Sequence, residues 1–190
     1  INAIAQGYDA RNRLVSVALP GLPSLHALRF EYNARGERIR KWVHRAGNAA
    51  NTNDRGRYVY DEAGRLLVEE MVNGLTVTAS DIVWRDDRPI AMGRGGTIYV
   101  IATDHLGTPR AVYERAAVKQ VWRWSMDADV FGESAPEQDP DGDLNGFVFN
   151  LRYPGQVFDA ETGLHYNYFR DYEPGTGRYV QSDPIGHAGG

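Results

Sequence analysis

Runs of alternating apolar and polar residues, five to nine long and broken by tight polar turns, recur along most of this chain. Helical periodicity is hard to find anywhere, and strand signals are frequent. Leu66-Leu67-Val68-Glu69-Glu70-Met71-Val72 and Leu75-Thr76-Val77-Thr78 flank Asn73-Gly74, a pattern that predicts a β-hairpin. Ile82-Val83-Trp84 and Ile90-Ala91-Met92 flank Asp86-Asp87-Arg88, and a further strand is expected from Thr97 to Ala102. Arg110-Ala111-Val112-Tyr113 and Val118 to Trp124 read as a pair, and Phe147-Val148-Phe149 reads as a later strand. Between them Ser134 to Gly146 is acidic and poor in β-formers, and is expected to be an exposed loop.

A turn phrase punctuates these runs: an aromatic, Asp or Asn, two variable residues, Gly or Asn, then a basic residue and an aliphatic. It occurs as Tyr8-Asp9 with Asn12-Arg13-Leu14, as Tyr32-Asn33 with Gly36 and Arg38-Ile39, and as Tyr60-Asp61 with Gly64-Arg65-Leu66. Asp104-His105-Leu106-Gly107 and Asp129-Val130-Phe131-Gly132 repeat the Asp-to-Gly part. Looser copies are Phe158-Asp159 with Gly163-Leu164, and Tyr172-Glu173-Pro174 with Gly177-Arg178-Tyr179. The first three starts lie 24 and 28 residues apart. Asp or Asn at the first position of a type I turn accepts a hydrogen bond from backbone two residues on, and Gly or Asn tolerates the positive φ that follows. Each unit is therefore strand, tight turn, strand, and a period of this size implies a stacked repeat.

Composition narrows the class. The chain has 190 residues, 42% hydrophobic and 24% charged, enough for one sizeable domain. A net charge of −4 argues against a nucleic-acid-binding surface. No apolar run approaches the ~20 residues of a membrane helix, and no basic-then-apolar leader opens the chain. Zero cysteine excludes disulfides, Cys-zinc sites and a Cys nucleophile. The start at Ile1 and the end at Gly189-Gly190 read as those of a fragment, and a fragment of a β-wall is expected to self-associate through its raw edges.

Few residues offer chemistry. Asp141-x-Asp143-x-Asn145-Gly146 matches the first half of a calcium loop. Its twelfth position, where Glu should chelate, is the cation Arg152, so it reads as a solvated acidic loop and no metal is expected. The five histidines are scattered singly, and nothing asks for a cofactor. Trp84, Trp122 and Trp124 are candidate sugar platforms, although aromatics in strands more often pack. Asp183-Pro184-Ile185-Gly186 suits the four positions of a type I turn. Its alternative reading needs a second carboxyl group sharing a proton with Asp183. Asp171, 12 residues upstream and beside Arg170, is the candidate, and a hairpin through Glu173-Pro174-Gly175-Thr176-Gly177 would return the chain from Asp171 to Gln181.

The chain resembles the RHS/YD-repeat proteins and their RHS-associated core region. The resemblance rests on the Tyr-Asp turns, on Thr103-Asp104-His105-Leu106-Gly107-Thr108-Pro109-Arg110, and on Val121-Trp122-Arg123-Trp124. It is carried most strongly by Phe149-Asn150-Leu151-Arg152-Tyr153-Pro154-Gly155-Gln156, by Asp159-Ala160-Glu161-Thr162-Gly163-Leu164-His165-Tyr166-Asn167, and by Gly177-Arg178-Tyr179 through Asp183-Pro184-Ile185-Gly186. It implies an all-β ribbon of hairpins, part of a hollow β-cocoon, with YD repeats over 1–97 and the core region over 98–190. It implies a shell made in the bacterial cytoplasm and then exported or delivered, whose partners are a C-terminal toxin domain of the same polypeptide and a secretion apparatus or delivery proteins. It also implies aspartic-type self-cleavage, with Asp183, Asp171 and Arg170 matching the cleavage residues and Arg170 holding a carboxylate or the scissile carbonyl. Relatives run on to a second Asp-Pro-x-Gly-Leu where cleavage occurs, so this fragment alone is expected to be inactive. The rival readings are a YD-repeat adhesion protein and a carbohydrate-binding β-protein.

Overall fold

The computed structural model describes residues 5–18, 26–45, 52–125 and 130–183, and these contain strands and no helix. Eleven strands form one antiparallel sheet in which each pairs with the next in sequence. They are β1 (Gln6–Tyr8), β2 (Leu14–Ala18), β3 (His26–Tyr32), β4 (Arg38–Arg45), β5 (Thr52–Tyr60), β6 (Leu66–Asn73), β7 (Thr76–Arg85), β8 (Arg88–Arg94), β9 (Thr97–Thr103), β10 (Pro109–Glu114) and β11 (Lys119–Arg123). A second sheet of four short strands follows: β12 (Val157–Phe158), β13 (His165–Asn167), β14 (Arg170–Glu173) and β15 (Arg178–Tyr179). The residue 97/98 division falls at the start of β9, inside the continuous large sheet, and the change of architecture follows β11.

The turn phrase sets one rim of this sheet. In the turns at Asp9, Asn33, Asp61 and Asp104 the side-chain Oδ1 accepts backbone N–H groups two and four residues on, all at 2.9–3.0 Å. The fourth residue takes positive φ each time: Asn12 at 60°, Gly36 at 91°, Gly64 at 81° and Gly107 at 89°. A register shift lies near the turn of each hairpin on this rim, which bends the ribbon. Arginines then staple neighbouring turns: Arg35 donates to the Asp61 carbonyl, Arg65 to Asp86 and Arg88 to His105. A Cβ at Gly64 would meet only ordinary contacts, 3.7 Å from Glu37 and Tyr168. The Gly64→Ala variant is therefore expected to lose only the left-handed backbone penalty, about 1–2 kcal/mol, read from its urea midpoint.

The opposite rim uses shorter turns. Gly95 and Gly96 both have positive φ, as a type I′ turn requires. At the Asn-Gly hairpin, Asn73 pairs with Thr76, so the two turn residues are Gly74 and Leu75 rather than Asn73 and Gly74. Gly74, with φ at 62°, sits at the first central position, where a type II′ turn demands glycine.

One face of the large sheet is covered by the C-terminal third of the chain. Tyr58, Leu66, Ile82, Met92, Ile101, Val112, Trp122 and Trp124 form a core with Phe149, Leu151 and Val157, while Leu164 closes a smaller cluster on Leu14, Val17, Leu28, Phe30 and Val43. Trp122 and Trp124 are buried, which removes them as sugar platforms, and half-buried Trp84 donates its indole N–H to the Leu66 carbonyl. The other face leaves Val59, Val83, Ile98 and Val100 exposed, as an antiparallel sheet allows.

Phe147-Val148-Phe149 is not a strand, contrary to the expectation from its alternation. Its two rings fold onto the sheet, Phe147 against Tyr99 and Phe149 against Trp122 at centroid distances of 4.8 and 5.1 Å. Its polar contacts are not those of a ladder: the Phe147 N–H donates to the Gln138 carbonyl, Arg94 donates to the Val148 carbonyl, and the adjoining Asn150 donates to Glu69 at 2.8 Å. A segment lying across the face of a sheet has no ladder to join.

Candidate functional site

The small sheet carries the expected site residues, and its two faces separate them. Successive residues of a strand point to opposite faces. On β14, Asp171 lies opposite Tyr166 and shares its buried face, while Arg170 lies opposite Asn167. The preceding turn, Tyr168-Phe169, has Tyr168 at φ 56° with the two rings edge-to-face at 4.2 Å. This strained turn is pinned to the repeat rim, where the Tyr168 hydroxyl donates to the Arg35 carbonyl at 3.0 Å.

The hairpin from Asp171 to Gln181 forms as its sequence suggests. Gln181 Oε1 accepts the Asp171 N–H and its Nε2 donates to Asp171 Oδ2, both at 2.7 Å, and Tyr172 pairs with Tyr179. Asp171 Oδ1 is buried without a hydrogen bond, 4.0 Å from an Arg38 amino group. Burial pushes the Asp171 carboxyl up to about 6, against the opposing pull of Arg38 and Gln181.

Arg38 is held by Asp159. Its two amino groups reach Asp159 Oδ2 and Oδ1 at 2.6 and 3.2 Å, and its guanidinium stacks 4.1 Å over the Tyr166 ring. Lys41 reaches Asp159 at 3.0 Å and Glu161 at 2.8 Å. Burial alone would raise the Asp159 carboxyl, but Arg38 and Lys41 outweigh it and hold it below the usual carboxylate range. The same anions hold Lys41 above the ordinary lysine range despite its burial. This buried ionic cluster joins β4 of the repeat sheet to the turn after β12.

On the opposite face Arg170 lies 3.8 Å over the Tyr179 ring and reaches Asp183 Oδ2 at 2.9 Å, with both side chains partly exposed. The structure thus joins Arg170 to Asp183 and ties Asp171 to Gln181, two residues before Asp183. Pro184, Ile185 and Gly186 of the Asp-Pro-Ile-Gly run, and Asp129 of the Asp129–Gly132 turn, lie outside the described residues.

Sequence reasoning missed Arg38, Lys41 and Glu161 as parts of a site, and read Asp159 only as a turn residue. Asp159 does form its turn, since its carbonyl accepts from Thr162 and Gly163. Its carboxylate, however, reaches Arg38 and Lys41, where Asp9, Asp61 and Asp104 cap their own turns. One signal was readable: the Asp159 phrase lacks the basic residue that follows the turn after Asp9 and Asp61, so its carboxylate is left for another partner.

The acidic loop brings the Asp139, Asp141 and Asp143 carboxylates within 4.8 Å of one another. The Lys119 ammonium lies 2.8 Å from Asp141 and 2.6 Å from Asp143, so a side chain of β11 supplies the positive charge such a cluster needs.

The Teneurin YD-shell family profile matches residues 78–186, more than half of the chain. The chain belongs to the Teneurin YD-shell family. It is 29% identical, over an alignment 211 residues long, to the double-stranded DNA deaminase toxin A of Burkholderia cenocepacia, across 96% of this chain and 14% of that protein. It is 39% identical over 88 residues to the toxin protein Tse5 of Pseudomonas aeruginosa, across 46% of this chain and 6% of that protein. The Photorhabdus luminescens Tc holotoxin pore superposes with a TM-score of 0.67 at 20% identity, over 98% of this chain and 9% of that one. The chain therefore spans a small fraction of the length of the relatives it matches, and its fold is that of an RHS/YD shell.

Proposed function

We propose that this YD-shell chain is a wall segment of a polymorphic toxin, enclosing a C-terminal toxin domain of the same polypeptide and carrying the aspartic-type site that cuts the toxin free. The enclosing role is supported by the continuous eleven-stranded wall and by the toxins among the relatives. Secretion or delivery to a target cell, with the delivery proteins that this needs, belongs to the same reading.

The observation that carries the cleavage role is the Asp171 carboxyl, buried with one oxygen unpaired and raised to about 6. A carboxyl group that titrates near 6 keeps its proton on a minor fraction of molecules at neutral pH, and in that form it can donate to a scissile carbonyl as water adds and the amine leaves. Asp183 is the second carboxyl group of this reading, held by its ion pair with Arg170 on the other face of the hairpin from Asp171.

The test is the intact mass of the gene product extended through its own C-terminus. The wild type is expected to give two fragments whose masses sum to the chain plus one water. Asp183→Asn and Asp171→Asn are each expected to slow cutting by about 10²–10⁴-fold and stay whole on the same timescale. An uncut wild type, or variants cut at the wild-type rate, would sink the reading.

A further inference from the structure

The ionic cluster and Asp171 share one cation, Arg38, and share it unequally. Asp159 takes both Arg38 amino groups, at 2.6 and 3.2 Å, while Asp171 Oδ1 stands 4.0 Å away with no hydrogen bond. Arg38 is fully buried, and its guanidinium is stacked on Tyr166, Phe30 and Tyr58, at 4.1, 4.9 and 5.4 Å from the ring centroids. Its backbone N–H also donates to the Tyr166 hydroxyl at 2.8 Å. Asp159 and Asp171 compete for the same guanidinium, and the grip of Asp159 on both amino groups opposes a shorter Arg38–Asp171 contact.

The geometry points to Arg38 and Asp159 as a positioning pair for Asp171: Asp159 holds the guanidinium off Asp171, leaving Asp171 free to gain and lose a proton. A hydrogen-bonded Arg38–Asp171 pair would instead fix Asp171 as a carboxylate, since an opposite charge in contact lowers a carboxyl by about 1–3 pH units. The consequence for the reaction rests on the self-cleavage reading above; the consequence for the Asp171 proton does not.

Each element packed around Asp171 contributes. Arg38 comes from β4, Tyr32 from β3, Tyr8 from β1 and Tyr166 from β13. Asp159 comes from the turn after β12, and Gln181 follows β15. Among them Arg38 lowers the Asp171 carboxyl and Asp159 raises it. Both act from outside the β14–β15 hairpin, and Arg38 belongs to the repeat sheet. The acid of the hairpin therefore takes its working charge only when the covering segment is seated on the wall.

An isotope-edited infrared titration of the aspartate carboxyl stretch in the full-length gene product tests this, with the Asp171 band assigned by its loss in Asp171→Asn. The charge-balanced double variant Asp159→Asn/Lys41→Met frees Arg38 while removing one cation with one anion. Its Asp171 midpoint is expected to fall by about 1–3 pH units, and that of Arg38→Met to rise. A merely structural role for Asp159 would leave the midpoint in place, and an unmoved midpoint in the folded double variant overturns the proposal. Should the double variant fail to fold, Arg38→Met decides alone: a rise supports it and no change overturns it. The pH profile of self-cleavage is read alongside, and its upper limb is expected to move in step with the midpoint. A midpoint that moves in chains that never cut upholds the positioning pair and rejects the self-cleavage reading.

Discussion

Replacing Asp159 with Ala is expected to cost about 3–5 kcal/mol of folding stability at pH 7. Asp159 is the only carboxylate that touches both Arg38 and Lys41 among the described residues, and its side chain and that of Arg38 are almost completely buried. Taking it away leaves the Arg38 guanidinium buried with Asp171 at 4.0 Å as its remaining acidic neighbour, while Lys41 keeps Glu161. Arg38 loses both hydrogen bonds to Asp159, and pairing with Asp171 regains only part of them, so the cost exceeds the net worth of an intact pair. A urea titration followed by near-ultraviolet circular dichroism measures it. The double variant Asp159→Ala/Arg38→Met is expected to be milder than the sum of its singles, because neighbours in one network do not add. Arg123→Ala is the control: its pair with Glu137 is about half exposed on both sides, so its loss is expected to be close to nothing. An Asp159→Ala variant as stable as the wild type would mean that apolar packing alone seats the C-terminal segment.

The repeat was legible because its bonds are local. An Asp that accepts N–H groups two and four residues on needs no distant partner, so Asp9, Asn33, Asp61 and Asp104 could be read from spelling alone. The Asp171–Gln181 hairpin was legible for the same reason, with Gly177 at φ 66° closing it. What connects Asp159 to Arg38 spans 121 residues, and no local rule announces such a bond. Phe147 to Phe149 failed for a related reason. Alternation states which side chains are buried, and Phe149 is buried while Val148 is exposed, but burial against the face of a sheet and pairing at its edge give the same spelling. The Gly74-Leu75 turn shows the finer limit: Asn-Gly announced a hairpin, and only the cross-strand register decided which residues turn.

The same distinction bears on Asp171. Its partners on the hairpin satisfy one of its oxygens, and a residue kept purely for folding would gain from satisfying both. The variant Asp171→Asn is therefore expected to be more stable than the wild type at pH 8, by on the order of 3 kcal/mol. That figure follows from a carboxyl moved from 3.8 to about 6, at about 1.4 kcal/mol per unit. The sign is the reverse of the usual carboxylate case. Between the unfolded and folded values the native chain keeps a proton that the unfolded chain has released, so wild-type stability from this group rises as the pH falls from about 7 towards 4. Above about 6 the native state carries the full penalty of a buried carboxylate, which Asn does not have. Asp159 acts in the opposite sense, because its folded value is lowered and its contribution is lost in acid. It is common to both chains, so the difference between their urea midpoints isolates Asp171. That difference is expected to be largest at pH 8 and to close near pH 4. A variant less stable than the wild type at every pH would show that Asp171 is held for folding. A variant that is more stable and no longer cuts would mark Asp171 as a group retained at a cost in stability because the reaction uses its proton.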